Sequence, residues 1–451
     1  MDLDAVTIAS PRLPPGPLAA YNTSQELLGW MAEQFQQFGS IYKASIYGVA
    51  VYAICAPEHV ERVLLKNWQN YPKGQAIKRI ALLLGNGLMV SKGEFWKKQR
   101  RMLQPAFQRK SVIGLIDVIK TANSSLLEKW ERAARENRTV NVTRDISLMI
   151  LDIVLISIFG DDYERVAPHF GIVSDESVRD LQFAQAFNAL RKVVVQVAHQ
   201  RRKENRAATD FLGALMDARD RESGDAMPDA QLAREIMTLV VAGHETTASA
   251  LNWTWYLLSQ YPEVEKKLSN ELSKWRGTEL PDFDDLPNFT YTRQVIDEAL
   301  RLYPPGWLMT RKALTDDYLG EYFVPAGTEI FISPYFIQRH PGFWEAPDRF
   351  DPERFDERCP HDRHPLVMLP FSVGPRNCIG ELLARVEMQI HLMMVGQRLR
   401  LRYDQAQPPE LAAAVNLLSK NEFIMTPELK TPDQPSSHAK SPMTLLPSQS
   451  A

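Results

Sequence analysis

A mainly α-helical fold with small β-sheets, built as a single large domain, follows from three features of the sequence. Apolar residues recur at helical spacing over most of the chain, strand-like runs are few and short, and neither an internal repeat nor a linker divides the middle. The chain has 451 residues, 45% of them hydrophobic, enough to bury an extensive core.

Residues 1–17 form an N-terminal segment closing on PRLPPGP (Pro11–Pro17), where four prolines in seven residues remove most amide donors and dictate an extended path. The domain proper is expected over residues 18–426. Its first helix is predicted over Leu27–Phe38, with Leu27, Met31, Phe35 and Phe38 recurring on one face. Short strands follow at Ile41–Ile46 and Ala50–Cys55. Apolar periodicity then predicts helices over Val112–Asn137, Ile146–Phe159 and Leu181–Arg202. A long one runs over Asp229–Gln260, and Pro262, suited to a first helical turn, opens another to Arg276. Helices at Thr290–Leu302 and Glu381–Leu399 and strands at Thr328–Ser333 and Glu422–Thr426 complete the domain. Residues 427–451 hold five prolines and five serines in 25 residues without apolar periodicity, a composition expected to stay disordered.

Charge and cysteine content exclude several classes. Fifty-two basic against 55 acidic residues give a net charge of −3 with no long single-sign block, so a nucleic-acid coat is not expected. Cys55, Cys359 and Cys378 are too few and too scattered for a disulfide framework. Met1–Ser10 lacks a secretory or transit pattern, and the most apolar stretch, Ile236–Leu258, carries His244 and Glu245 at its centre. No transmembrane anchor is therefore expected, and a cytoplasmic location is the simple reading.

The sharpest chemical signal is Phe371-Ser-Val-Gly374-Pro-Arg376-Asn-Cys378-Ile-Gly380, a loop opening onto the helical pattern from Glu381. A lone cysteine is by default a small buried apolar side chain. Here it sits at a helix start, where the dipole and unpaired amides favour a thiolate, and the flanking glycines let a flat ligand approach. A thiolate beside a planar cofactor points to haem.

The loop matches every fixed position of F-x-x-G-x-R-x-C-x-G and so resembles the haem-thiolate signature of the cytochrome P450 family, soluble bacterial type. Such a match arises by chance in a chain this long with a probability on the order of 10⁻⁴. The resemblance implies a haem-dependent monooxygenase that uses O2 and external electrons to hydroxylate or epoxidise a lipophilic substrate. Cys378 would be the axial ligand of haem b, with Phe371 and Gly380 shaping its loop. Thiolate ligation favours O–O cleavage, which is why cysteine serves here rather than histidine.

Further motifs agree with it. Ala242-Gly243-His244-Glu245-Thr246-Thr247 resembles the family's A/G-G-x-D/E-T-T segment. The resemblance implies that Gly243 opens a groove for dioxygen, that Thr246 bonds its distal oxygen and that Glu245 helps deliver protons. A helix-interior threonine bonded to the carbonyl four residues back is the alternative for Thr246. His244 falls on another face and reads as structural. Glu298, Arg301 and Arg354 match the family's buried structural triad, whereas the same spacing at Glu176 and Arg179 reads as a surface pair. Trp96 and Arg100 resemble a W-x-x-x-R pair, and with Arg311 and Arg376 occupy positions where family residues reach haem propionates.

By family position, the pocket wall would combine Leu239, Val240, Ala242 and Thr246 with Pro305, Trp307, Leu308, Met309, Leu417 and Leu418. So apolar a surface favours a terpenoid, carotenoid or fatty acyl substrate. Between Gly160 and Asp210 the chain is short for the helices that normally roof such a pocket. Electrons would come from NAD(P)H through separate redox proteins, since no cysteine cluster or extra domain remains. Residues 92–110 hold seven basic residues and one acid, so a ferredoxin or flavodoxin is expected to dock at Lys97, Lys98 and Arg101. Two other functions stay open: a haem-thiolate peroxygenase or isomerase, and a non-catalytic haem-based ligand sensor.

Overall fold

A computed structural model describes residues 11–430 except 18–19, 22–25, 76, 172–180, 207–209, 276–280 and 359–361. Cys359, the Glu176–Arg179 pair and the tail beyond Lys430 lie outside the described residues. The helices are α1 (Leu27–Phe38), α2 (Pro57–Glu61), α3 (Ile77–Leu84), α4 (Gly93–Leu103), α5 (Arg109–Ile113), α6 (Ile116–Arg135), α7 (Val142–Phe159) and α8 (Tyr163–Phe170). They continue with α9 (Leu181–Lys203), α10 (Phe211–Asp217), α11 (Asp229–Gln260), α12 (Pro262–Leu272), α13 (Thr290–Leu302), α14 (Pro334–Ile337) and α15 (Glu381–Arg398).

The strands are β1 (Ile41–Ile46), β2 (Val49–Ile54), β3 (Val140–Asn141), β4 (Met309–Lys312), β5 (Asp317–Leu319), β6 (Tyr322–Val324) and β7 (Glu329–Ile332). After them come β8 (Leu399–Arg402), β9 (Leu411–Ala413), β10 (Leu417–Ser419) and β11 (Ile424–Leu429). They form one sheet of order β1-β2-β7-β4, one of order β3-β11-β8 and two hairpins, β5-β6 and β9-β10.

The 32-residue α11 is the axis of the core, and α7, α9, α13 and α15 all pack on it. Its sequence explains why: Leu251, Trp253, Trp255, Leu257 and Leu258 are buried on every side, as a helix surrounded by others requires. Trp253 stacks on Tyr303 with ring centres 3.9 Å apart, fastening α11 to the end of α13. His244 turns to α7, its Nε2 at 2.9 Å from Ser147 Oγ, which fits the structural role read from its position.

Two expected boundaries shift. The Pro-rich segment is packed rather than an outlying lead-in: Lys43 N–H donates to Pro15 O at 2.7 Å and Phe323 N–H to Arg12 O at 2.8 Å. Any side chain at Gly16 would strike the Lys43 carbonyl, so glycine permits this contact. At the other end β11 continues through Leu429, where it pairs with Leu399 of β8, so pairing extends past residue 426.

The roof over the core is α9, 23 residues long, preceded by the eight-residue α8. Arg201 anchors α9: fully enclosed, it donates to Asp162 and Asp210 at 2.7 Å each and to Phe159 O at 2.5 Å. Those partners lie at the end of α7 and the start of α10, so one guanidinium holds three segments of the roof.

Candidate active site

The Phe371–Gly380 loop is held by its backbone. Cys378 N–H donates to Phe371 O at 2.9 Å and Asn377 N–H to Gly374 O at 3.0 Å. Gly374 has φ +77° and a Cβ there would lie 2.4 Å from Leu64 O, so only glycine fits. Arg100 donates to Asn377 O at 2.9 Å and to Asn377 Oδ1 at 3.1 Å. From α4 it thereby braces the thiol loop.

Cys378 keeps accessible surface although burial pushes its thiol pKa up, a combination that an internal cleft produces. The Gly380 amide, Arg100 and Lys73 pull the other way without overcoming burial, so the helix start alone does not make the thiolate expected from the sequence. Coordination to a metal would. Among the described residues no three His, Cys, Asp or Glu side chains gather as a metal site.

Beside the thiol lies a cationic cluster. Lys73 bridges Arg311 through the backbone, and burial with the Arg311 and Arg376 charges lowers its pKa to about 7. Burial lowers Arg311 and Arg376 to about 10 each. Arg376 lies 4.1 Å over the Trp96 ring and donates to Ser91 O at 3.1 Å. None of the three cations is ion-paired with a carboxylate among the described residues. Positive charge of this kind, without a carboxylate partner, suits an anionic ligand. One thiol and three converging cations fit a haem with two propionates. Lys73 was not singled out in the sequence, since a lone lysine before Gly74 carries no motif.

On α11, Leu239, Ala242 and Thr246 are spaced one turn apart and all partly accessible. Val240 is 0% exposed; about 160° around the axis from Ala242, it faces the core instead of the cleft as expected. At Gly243 a Cβ would meet Val154 Cγ2 at 3.3 Å, so its missing side chain serves the close approach of α7. Thr246 Oγ1 donates to Ala242 O at 2.7 Å, the local bond anticipated as the alternative. Asn416 Nδ2 donates to Glu245 Oε2. Buried Glu387 on α15 hydrogen-bonds Thr247 and lies about 9 Å of helix rise from the start of α15. That link joins the middle of α11, at Thr247, to the second turn of α15, the helix that the Cys378 loop opens.

From the remaining wall, Leu308, Met309 and Leu418 are partly accessible. Pro305, Trp307 and Leu417 are buried and build the wall from behind: Trp307 Nε1 donates to Ala414 O at 3.0 Å and Leu417 N–H to Pro305 O at 2.9 Å. The triad forms as expected. Arg301 donates to Glu298 at 2.6 and 2.8 Å, Arg354 Nε to Glu298 Oε1 at 3.3 Å, and both Glu298 and Arg301 are wholly buried.

The basic docking face does not stand free. Lys97 pairs with Glu94, Lys98 with Asp225, and Arg101 with Asp220 and Glu222. The loop between α10 and α11 supplies the carboxylates for Lys98 and Arg101, a neutralisation that residues 92–110 read alone could not reveal.

Fold and site together define a haem-thiolate protein. The family model "Cytochrome P450" matches residues 11–171 and 168–426, and the chain belongs to the cytochrome P450 family. Cyclooctat-9-en-7-ol 5-monooxygenase of Streptomyces melanosporofaciens is 31% identical over 81% of this chain and 83% of its own. Pentalenene oxygenase of Streptomyces avermitilis is 27% identical over 88% and 92%. The crystal structure of the cytochrome P450DA heme domain superposes with a TM-score of 0.81 at 23% identity, covering 93% of this chain and 98% of that one. The chain is accordingly a haem-dependent monooxygenase fed by external electrons. No described helix is long and apolar enough to cross a membrane.

Proposed function

We propose that this monooxygenase acts on a terpenoid. The observation that carries the reading is the wall of Leu239, Ala242, Leu308, Met309 and Leu418, which offers burial and few polar anchors to a ligand near Cys378. The relatives named for pentalenene and cyclooctatin chemistry support it.

In this reading Cys378 ligates haem b, while Lys73, Arg311 and Arg376 receive its propionates. Bound there, haem supplies the oxygen-activating chemistry. The chain's own residues orient the substrate, exclude water and move protons. Thr246 Oγ1 must leave the Ala242 carbonyl to donate to oxygen in the cleft, and Glu245 reloads it with protons. Electrons derive from NAD(P)H through a separate ferredoxin- or flavodoxin-type protein. The ion pairs around Lys98 and Arg101 leave those side chains little charge for steering it.

Titrating the haem absorption spectrum with a sesquiterpene, a carotenoid and a fatty acid tests the substrate class. A saturable Soret shift with the sesquiterpene alone is expected. A shift only with the carotenoid or fatty acid overturns the terpenoid reading, and absence of bound haem overturns the site.

A further inference from the structure

The β9–β10 hairpin reaches the proton-delivering segment of α11 through one side chain. Asn416 is 8% exposed, and its amide donates to the Glu245 carboxylate. Its neighbours Ala414 and Val415 are open to solvent, Val415 at 61%. Within two residues the chain thus passes from bulk water to a buried contact with the acid next to Thr246.

The hairpin is fixed at this height by bonds on both sides of Asn416. Trp307 Nε1 donates to Ala414 O at 3.0 Å, Ala414 N–H to Asn416 O at 3.1 Å, Leu417 N–H to Pro305 O at 2.9 Å, and Ser249 Oγ on α11 to Leu417 O at 2.8 Å. One of these is to the carbonyl of Asn416 itself and two are to its neighbour Leu417, so its side chain has little freedom to drift from Glu245. Of the described titratable groups near this stretch, His244 faces Ser147 on α7, Glu387 on α15 bonds Thr247, and Glu410 and Lys420 pair at the hairpin base.

We infer that Asn416 is a positioning residue for proton delivery. It holds the Glu245 carboxylate at the hairpin tip, where the acid exchanges protons with solvent before passing them to Thr246. The inference rests on the monooxygenase reading of Glu245 and Thr246. A neutral amide is suited to this role because it donates to the ionised carboxylate and so favours the proton-accepting form, without forming an ion pair that would trap it. The same hairpin carries Leu418 into the substrate wall, so a ligand that moves β10 also moves the acid.

The test uses the haem-loaded protein with Asn416→Ala and the near-isosteric Asn416→Asp, which keeps the fold if the smaller side chain does not. Infrared difference spectra against Glu245→Gln read the Glu245 carboxyl directly, whether or not a turnover substrate is in hand. Loss of the donated bond is expected to raise the Glu245 midpoint by about one pH unit in Asn416→Ala, and further in Asn416→Asp, where a like charge faces it. With substrate, peroxide released per electron pair rises severalfold while the haem spectrum and ligand affinity hold. A Glu245 midpoint unchanged in both variants overturns the assignment. If Glu245→Gln itself leaves coupling intact, the reading of Glu245 as the proton carrier fails instead, and the infrared shift tells the two failures apart.

Discussion

Thr246 is where one hydroxyl is asked to serve both fold and chemistry. Its Oγ1 donates to Ala242 O at 2.7 Å, a bond common to helix-interior threonines, while in the proposed mechanism it also donates to oxygen. Removing the hydroxyl leaves the helix intact but takes away the proposed last proton donor. Thr246→Ala is expected to bind substrate and haem normally while product per electron pair falls at least about tenfold, below the roughly 10²–10⁴-fold that a positioned general acid typically contributes because water can partly replace the hydroxyl. Parallel measurement of product and hydrogen peroxide checks this, and unchanged coupling would remove Thr246 from the reaction.

At the scale of elements, the Glu298 triad ties α13 to the turns that follow α14. Arg301 donates to Gln338 O at 2.7 Å, Pro347 O at 2.6 Å and Arg349 O at 3.1 Å, while Asp351 N–H donates to Glu298 Oε1 at 2.9 Å. Every polar atom of the pair is spoken for, so taking away one partner strands a buried charge. Glu298→Ala is expected to cost about 3–5 kcal/mol in denaturant unfolding, whereas Lys267→Ala on the exposed pair with Glu353 changes stability by less than about 1 kcal/mol. Equal losses in the two variants would contradict the distinction between buried and exposed pairs.

Across the whole molecule, buried titratable groups set how stability depends on pH. Burial lowers His244 to about 4 and His391 to about 3, below the ordinary 6.5. The unfolded chain therefore takes up protons before the folded one does, and stability falls as pH drops from 6.5 towards these values. Glu387 works in the opposite direction: burial raises it to about 8 from 4.5, so its contribution is lost as pH rises through that window. Glu387→Gln is expected to remove the loss of melting temperature between 4.5 and about 8, flattening the profile above 6.5 and steepening it between 4.5 and 6.5, where the histidines then act alone. A profile unchanged on both sides would mean that Glu387 ionises freely in the fold.

Much of this was legible from residue order alone. The span of α1, α11 and α13 matches the sequence-based expectation to the residue, because each carries an apolar pattern that no other local structure can bury. The Cys378 loop and the Glu298–Arg301 pair were equally visible, their chemistry being written in consecutive or closely spaced residues, whereas Arg354, 56 residues on from Glu298, was reached only through the family resemblance. Hidden from sequence were Lys73, Asn416 and Glu387, which lie far along the chain from the groups they meet and carry no motif of their own. The fate of the basic stretch was hidden too, since its neutralising acids arrive from the loop before α11. Local pattern determined the elements and the thiol ligand, because periodicity and helix termini are properties of neighbours in sequence. Only the tertiary structure decided which charges are compensated, which face of α11 meets the cleft and which amide holds the acid, because burial and electrostatics depend on what folding brings within a few ångströms.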